Sequence, residues 1–209
     1  AFASRDVDVV CEFAHPNVSR QYGEMFLEVA DYMPLSATVF ADEGMEERLK
    51  KAALDTGKRL FVPHGGVIGL ESVIEGRDVW ESVTFTMTKN PKNVDFGVSG
   101  MGPELVADTG FTTIYDGPTR GICPKFPRNV NTHATTALAG IGFDRTHSLL
   151  VLNRALDTAT GEVHCQGQGI DLLLRRSDPI EGVTGVATLQ SVFSSVCSTA
   201  EGGPGMRFC

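Results

Sequence analysis

Short apolar runs alternate with helical periodicities along the first 62 residues, and this alternation limits the fold more than any other feature. Residues 7–13 are apolar nearly throughout, as in a strand buried on both faces of a parallel sheet. Helices are predicted to begin near Pro16 and to cover residues 42–56. Further short strands are predicted at residues 35–40 and 59–62. Strand, helix, strand, helix, strand is the order of a parallel α/β unit.

A different pattern follows Leu70, because apolar and polar residues alternate over residues 80–88, as in a half-buried strand. The other predictions are strands at 112–115, 119–122, 149–152, 163–166 and 170–175, a loop at 157–161, and a segment at 184–198 that favours helix over strand. We therefore predict α/β plus α+β architecture. An incomplete Rossmann-type parallel sheet over residues 1–69 precedes a mixed-sheet domain over residues 70–209.

Charge and composition exclude several functions. The formal net charge is −8, with 18 basic against 26 acidic residues and no basic cluster, which argues against nucleic acid or an anionic membrane as a partner. No apolar run approaches the roughly 20 residues of a membrane helix. The five cysteines have no metal-binding spacing, so we expect no metal site, reduced thiols and a cytoplasmic protein.

A polar segment before a helix of small residues is the first candidate site. Pro127 favours an extended lead-in, and Asn129, Asn131 and Thr132 follow where a helix should start. Residues 134–139 are predicted to be helical, and their small side chains permit close approach. The segment is either a shelf for a ligand or simply a capped, tightly packed helix.

A glycine pair is the second candidate site. Gly65 and Gly66 follow the predicted strand at 59–62, and ligands of open α/β sheets lie beyond the carboxyl ends of the strands. Adjacent glycines allow a ligand to approach the backbone, or they simply form a turn. The residues by themselves favour the turn.

Several motifs, in the same order, resemble the L-aspartate dehydrogenase family. They cover nearly the whole chain, and those at residues 115–124 and 204–209 in particular resemble the animal branch of the family. They are residues 61–69 with 88–92, 126–131 (Phe-Pro-Arg-Asn-Val-Asn) with 137–144, 115–124 (Tyr-Asp-Gly-Pro-Thr-Arg-Gly-Ile-Cys-Pro), and 204–209 (Pro-Gly-Met-Arg-Phe-Cys).

This resemblance implies NAD(P)-dependent interconversion of L-aspartate with iminoaspartate, or oxaloacetate plus ammonia. It implies NAD or NADP as cofactor, a small dicarboxylate substrate and a homodimer formed by the second domain, which would also be catalytic. The Gly-rich GxGxxG fingerprint of dinucleotide-binding domains is absent. We therefore expect a fragment or a shortened member, whose first domain is rejoined by the C-terminal segment. The alternative is a non-catalytic homologue with a structural or binding role.

The resemblance also assigns site residues. Gly66 occupies the place of a cofactor-contacting alanine, and Asn131 that of an asparagine that binds the nicotinamide. A histidine roughly 30 residues beyond that asparagine is the proposed catalytic residue of the family. His164 follows Asn131 by 33 residues, and the extra length fits the predicted loop at 157–161. We therefore expect His164 to be catalytic and to face Gly66 and Asn131, with His133 as the rival.

Other polar residues remain candidates with smaller roles. A dicarboxylate requires cationic partners, and the candidates near the motifs are Lys89, Lys92, Arg120, Lys125 and Arg128. His64 is a candidate for the mouth of the pocket. A pair such as Cys165 and a histidine suggests a nucleophile, although buried, unreactive thiols are more common. The same holds for Cys123.

Overall fold

A computed structural model describes residues 6–200 and shows two sheets. The first is a parallel pair whose strands are joined by a helix. Its elements are β1 (Val9–Glu12), α1 (Pro16–Val29) and β2 (Asp31–Pro34), followed by α2 (Glu43–Thr56). Pro16 begins α1, Asp42 caps the start of α2 through the Met45 amide, and Gly57 ends α2 in the left-handed conformation.

The second sheet has six strands in the order β4-β5-β3-β6-β7-β8. Only β3 and β5 pair in parallel, and the other neighbours are antiparallel. The strands are β3 (Ser82–Lys89), β4 (Thr112–Pro118), β5 (Thr146–Leu152), β6 (Thr158–Gly167), β7 (Ile170–Glu181) and β8 (Thr184–Gly185). The helices are α3 (Leu70–Glu75), α4 (Thr119–Ile122), α5 (Asn131–Ala139) and α6 (Val186–Ala200). The predicted fold class is therefore confirmed.

Some local predictions are wrong. Residues 35–40 form no strand, because the chain leaves the sheet at Pro34 and Ala37–Ala41 is a 3₁₀ helix. Residues 59–62 contribute only a bridge from Leu60 to Tyr32. Residues 119–122 are helical, and most of the predicted loop at 157–161 belongs to β6.

One large core joins elements from both sides of residue 69. Leu27, Tyr32 and Leu49 from the first part pack in the same cluster as Phe126 and Leu150 from the second. Each such fully buried side chain contributes roughly 1.5–3 kcal/mol to folding. The predicted boundary between residues 69 and 70 stays a prediction.

The C-terminal helix returns to the first part of the chain. The Ser195 hydroxyl accepts a hydrogen bond from the His64 amide at 3.3 Å, and the Arg59 guanidinium donates to the Thr199 carbonyl at 3.4 Å. The motif at residues 204–209 lies outside the described residues.

Two further properties concern the described residues alone. None of their helices is long and apolar enough to cross a membrane. Their cysteines carry free thiols. The expected cytoplasmic location stays a prediction.

Candidate active site

A pocket lies where three separate segments meet the second sheet. The start of α5, the glycine turn before α3 and the start of α6 surround it. It encloses about 620 Å³ of empty space, part of it open to solvent. Gly66 and Asn131, the two residues expected to contact a cofactor, both line it.

The register of the sheet builds the floor of this pocket. Met87 of β3 lies opposite Gly161 of β6, and Gly161 lies opposite Arg176 of β7. Met87 and Arg176 both line the pocket. Residues that pair directly across strands face the same side of a sheet, so Gly161 lies between Met87 and Arg176 on the pocket side but places no side chain there.

Asn131 begins α5 without capping it. The N-cap position is Val130, and no side chain caps the helix there. Oδ1 of Asn131 accepts a hydrogen bond from the Thr38 amide at 3.2 Å. Within residues 6–200, its Nδ2 donates no hydrogen bond that would compete with a ligand. The capping interpretation is therefore wrong for Asn131, and the interpretation as a ligand shelf stays a prediction.

Gly66 is packed so closely that a side chain would displace its neighbours. A Cβ atom at this position would lie 2.7 Å from Cγ2 of Thr132 and 3.2 Å from Nη1 of Arg176. Gly65 has φ +58°, as a tight turn requires. The pair therefore combines a turn at Gly65 with close backbone approach at Gly66.

Arg176 is a pocket cation that the sequence analysis missed. Its Nε lies 2.9 Å from Oδ1 of Asp178, but without the alignment of a hydrogen bond. Nε and Nη1 are buried and have no hydrogen-bond partner among the described residues. Alternation along β7 places Arg176 on the pocket side and the adjacent Arg175 on the other side. Only the strand register could have distinguished the two arginines.

Arg128 is the one cation of the five sequence candidates that lines the pocket. Its Nη1 donates to Oδ2 of Asp95 at 2.9 Å. A bond from the Gly97 amide and then the one from Arg128 hold the pKa of Asp95 below its usual range. The positive charge that Arg128 brings to the pocket is therefore balanced by the carboxylate of Asp95.

Two other cationic candidates have partners away from the pocket. Arg120 binds both carboxylate oxygens of Asp144, and the ammonium of Lys125 lies 5.5 Å from the ring centre of Tyr115. Lys92 is exposed in a 3₁₀ turn. Lys89 is fully buried on the pocket side of β3, and its Nζ has no hydrogen-bond partner in the described part of the chain.

His133 lies under the pocket rather than in it. Its ring is 4.5 Å from that of Phe85, and Nδ1 is 3.0 Å from Oγ of Ser148. Burial, and then the charge of Lys89, lower its pKa to about 3. A group that stays neutral in this way is poorly suited to exchange protons near neutral pH.

The remaining titratable candidates have structural surroundings. His15 caps α1, accepting from the Asn17 amide, and His147 bonds Asp116 at the surface. His64 lies beside Glu71 in a separate depression along α6. The thiols of Cys123 and Cys165 are buried, which raises their pKa values to about 12 and about 11, so neither is a ready nucleophile.

A family model, related sequences and a solved structure all indicate the same family. The family described as aspartate dehydrogenase, C-terminal, matches residues 73–199, more than half of the chain. An aspartate dehydrogenase domain-containing protein of Xenopus tropicalis is 32% identical over 97% of this chain and 76% of its own length. The L-aspartate dehydrogenase of Methanosarcina barkeri is 30% identical over 92% of this chain and 76% of its own length.

This chain belongs to the aspartate dehydrogenase family. The family's named enzymes are oxidoreductases. The fold agrees, because the crystal structure of an aspartate dehydrogenase from Thermotoga maritima superposes with a TM-score of 0.73 at 24% identity, covering 93% of this chain and 75% of that one.

The location of His164 differs from what the aspartate dehydrogenase resemblance implied. Val163 and Cys165, its neighbours on β6, are buried in the core with Phe85. His164 therefore lies on the opposite face of the sheet, where Nε2 is 3.0 Å from Oδ1 of Asp171. It does not line the pocket. The expectation that its imidazole faces Gly66 and Asn131 is wrong, because adjacent residues of a strand face opposite sides.

The loop that was expected to hold three additional residues does not exist. Thr158 already belongs to β6, so the strand register fixes every position up to His164. Gly161, three residues before His164 on the same strand, pairs with the pocket-lining Met87.

The pocket fits the cofactor end and the substrate implied for an aspartate dehydrogenase. Asn131 offers an uncommitted amide donor, Gly66 offers close backbone approach, and Arg176 offers guanidinium donors that have no hydrogen-bond partner among the described residues. Among the described residues, no cluster of potential metal ligands accompanies them.

Proposed function

We propose that this protein is an NAD(P)-dependent aspartate dehydrogenase whose pocket holds the nicotinamide end of NAD or NADP beside L-aspartate or oxaloacetate. One observation carries the proposal. Gly66, Asn131 and Arg176 come from three distant segments and line a single pocket. The chemistry that the bound cofactor would supply is acceptance of a hydride from the α-carbon of L-aspartate. The amine would lose a proton to solvent to give iminoaspartate, which water would then hydrolyse to oxaloacetate plus ammonia.

The residues of the pocket would bind and orient the two ligands. Nδ2 of Asn131 would donate to the carboxamide oxygen of the nicotinamide and so fix which ring face meets the substrate. Arg176 would donate to a substrate carboxylate, since its Nε and Nη1 are buried without hydrogen-bond partners among the described residues. The close packing around Gly66 would exclude water from the reacting atoms.

The test is ligand binding together with turnover. We expect NADH fluorescence to report binding that Asn131→Ala weakens by about three- to tenfold, the value of one ordinary hydrogen bond. Asn17→Ala, at the exposed start of α1, is the matched control and should leave binding unchanged. Oxidation of NADH should then depend on oxaloacetate and ammonia together. Equal NADH binding by the Asn131 and Asn17 variants would contradict the assigned site.

A second candidate function is ligand binding without turnover. The missing side chain at Gly161, which pairs with the pocket-lining Met87, favours it, since no imidazole among the described residues lines the pocket. The two candidates differ in one measurement. A binding protein would retain affinity for NADH and a dicarboxylate but would oxidise no NADH.

We also propose a homodimer through the second sheet, on the face opposite the pocket. Leu173 is exposed there, and the Arg175–Glu162 ion pair lies on the same face. A single species of twice the chain mass in sedimentation equilibrium would support the proposal. A monomer at micromolar concentration would contradict it.

A further inference from the structure

Lys89 ends strand β3 next to the pocket, although it is not among the residues that line it. It follows Met87 by two residues, and therefore faces the same side of the sheet as this pocket-lining residue. Thr88 pairs with Thr160 of β6, so the next step of the antiparallel register brings Lys89 beside Ala159, which also lines the pocket. Lys89 has no exposed surface.

The surroundings of Lys89 leave its charge uncompensated. On the pocket side, α5 contributes the neutral His133, β5 contributes Leu152, and β6 contributes Ala159. Asp178 of β7 pairs with Ala159 and so faces the same side, but its carboxylate lies against Arg176. Nζ of Lys89 has no hydrogen bond among residues 6–200. An unpaired buried charge is costly, and burial lowers the pKa of Lys89 to about 7.

The other two cations near the pocket differ from Lys89, because each already faces a carboxylate. Arg176 lies against Asp178, and Arg128 is bonded to Asp95. Their hydrogen-bond donors can hold one carboxylate of a ligand, but their positive charges are balanced. A second negative charge in the pocket therefore has one uncompensated partner in the described neighbourhood, Lys89.

We propose that Lys89 is the residue by which the pocket selects small dianions, and that each dicarboxylate binds together with one proton that Lys89 takes up from solvent. The proposal rests on the proposed function, because it requires that the pocket binds a dicarboxylate. The proton adds to the lone pair of neutral Nζ, and the second carboxylate stabilises the ammonium that results. A monocarboxylate provides no such counter-charge and binds without the proton.

Calorimetry with succinate tests the proposal. Succinate has the carbon chain of aspartate, but it has no amine-bearing carbon that a nicotinamide cofactor could oxidise. Titrations at pH 8 in phosphate and in Tris, whose ionisation enthalpies differ, give the number of protons taken up. We expect uptake of nearly one proton for each succinate bound and of none for each propionate bound. At pH 6 Lys89 is already charged, so the uptake should nearly vanish. Between about pH 7 and the higher pKa of the complex, succinate affinity should fall about tenfold per pH unit.

Two substitutions at Lys89 distinguish the effect of its positive charge from the effect of its proton uptake. Lys89→Met should lose the proton uptake and the preference for succinate over propionate. Lys89→Arg remains charged at every accessible pH, and should bind succinate without proton uptake. Lys92→Met, which removes an exposed lysine three residues away, is the matched control and should behave like the parent protein.

The outcomes distinguish this inference from the proposed function. Succinate binding without proton uptake, or uptake that persists in both Lys89 variants, overturns the role of Lys89 and leaves the dehydrogenase proposal standing. If the parent protein binds no succinate at all, both proposals fail.

Discussion

A Cβ atom placed on Gly66 would lie 3.2 Å from Nη1 of Arg176, so the glycine turn and β7 nearly touch across the pocket. The same atom would lie 2.7 Å from Cγ2 of Thr132, on α5. The width of the pocket therefore depends on the missing side chain.

We predict that Gly66→Val abolishes NADH and succinate binding, with a loss of more than about tenfold, because the valine methyl groups must displace Thr132 or Arg176. Fluorescence and calorimetric titrations measure the loss. Gly44→Val, on α2, is the control, since a Cβ atom there meets only a carboxylate oxygen of Asp42, at 3.4 Å. Unchanged affinity in the Gly66 variant would show that ligands bind elsewhere.

Lys89 should make the stability of the free protein depend on pH. Its pKa is about 7 in the folded state against 10.5 for an ordinary lysine, so the unfolded chain binds the additional proton between these values. The free energy of unfolding should therefore rise with pH above about 7. Urea titrations at pH 7, 8 and 9 should show less of this rise in Lys89→Met than in Lys92→Met. Identical slopes would mean that Lys89 is paired in solution.

His133 should make the protein sensitive to acid. Its folded pKa is about 3 against 6.5 for an ordinary histidine, so the unfolded chain takes up a proton first as pH falls. The stability contributed by neutral His133 is thus present above about pH 6.5 and is lost toward about pH 3, on the order of a few kcal/mol.

Urea titrations between pH 7 and 4 should show a smaller loss of stability in His133→Gln than in the parent protein. Lys89→Met should raise the pKa of His133, because the lysine charge contributes to its depression. An NMR titration of the His133 ring would contradict this account if Lys89→Met left its midpoint unchanged.

His164→Ala should leave ligand binding at the pocket unchanged, since the imidazole lies on the opposite face and bonds Asp171. Asp171 should lose part of its pKa depression, which comes from bonds with Gln166 and then His164. Titrations with NADH and succinate provide the measurement. A turnover loss of 10²-fold or more, the size of a general acid–base effect, would instead return His164 to the site.

Gly161→His should place an imidazole on the pocket floor. Its Cβ would lie 3.2 Å from Cζ of Phe85, so the ring of Phe85 must shift by a few tenths of an ångström to admit it. If proton transfer limits turnover, we expect oxaloacetate-dependent NADH oxidation to increase by about 10²- to 10⁴-fold. Ser82→His, on the exposed start of β3, controls for an added imidazole.

The sequence predicted elements where local signals agree with tertiary contacts. The helix beginning at Pro16 and the one that Asp42 caps are examples, because proline and capping preferences act within one turn. Residues 35–40 were mistaken for a strand because their apolar side chains are buried in a 3₁₀ helix, and burial alone does not distinguish the two.

Site prediction had a different limit. Gly66 and Asn131 were found from motifs, and they do line one pocket. Arg176 and His164 depend on strand parity, which a one-residue error in the start of β6 or β7 reverses. Expecting a loop where Thr158 already begins the strand was enough to move the histidine to the wrong face.

Three inward-facing residues of one strand, Phe85, Met87 and Lys89, belong in turn to the core, the pocket floor and the buried charge. These three side chains share one face because they alternate along the strand, and not because they contact one another. A single-residue insertion before Phe85 could leave the ladder between β3 and β6 intact while turning all three side chains to the opposite face. The protein would then still fold as a sheet, yet lose its pocket and its proton-linked charge in one step. The length of the segment before Phe85, more than the identity of any residue in it, is thus what keeps the pocket and the buried charge on one face.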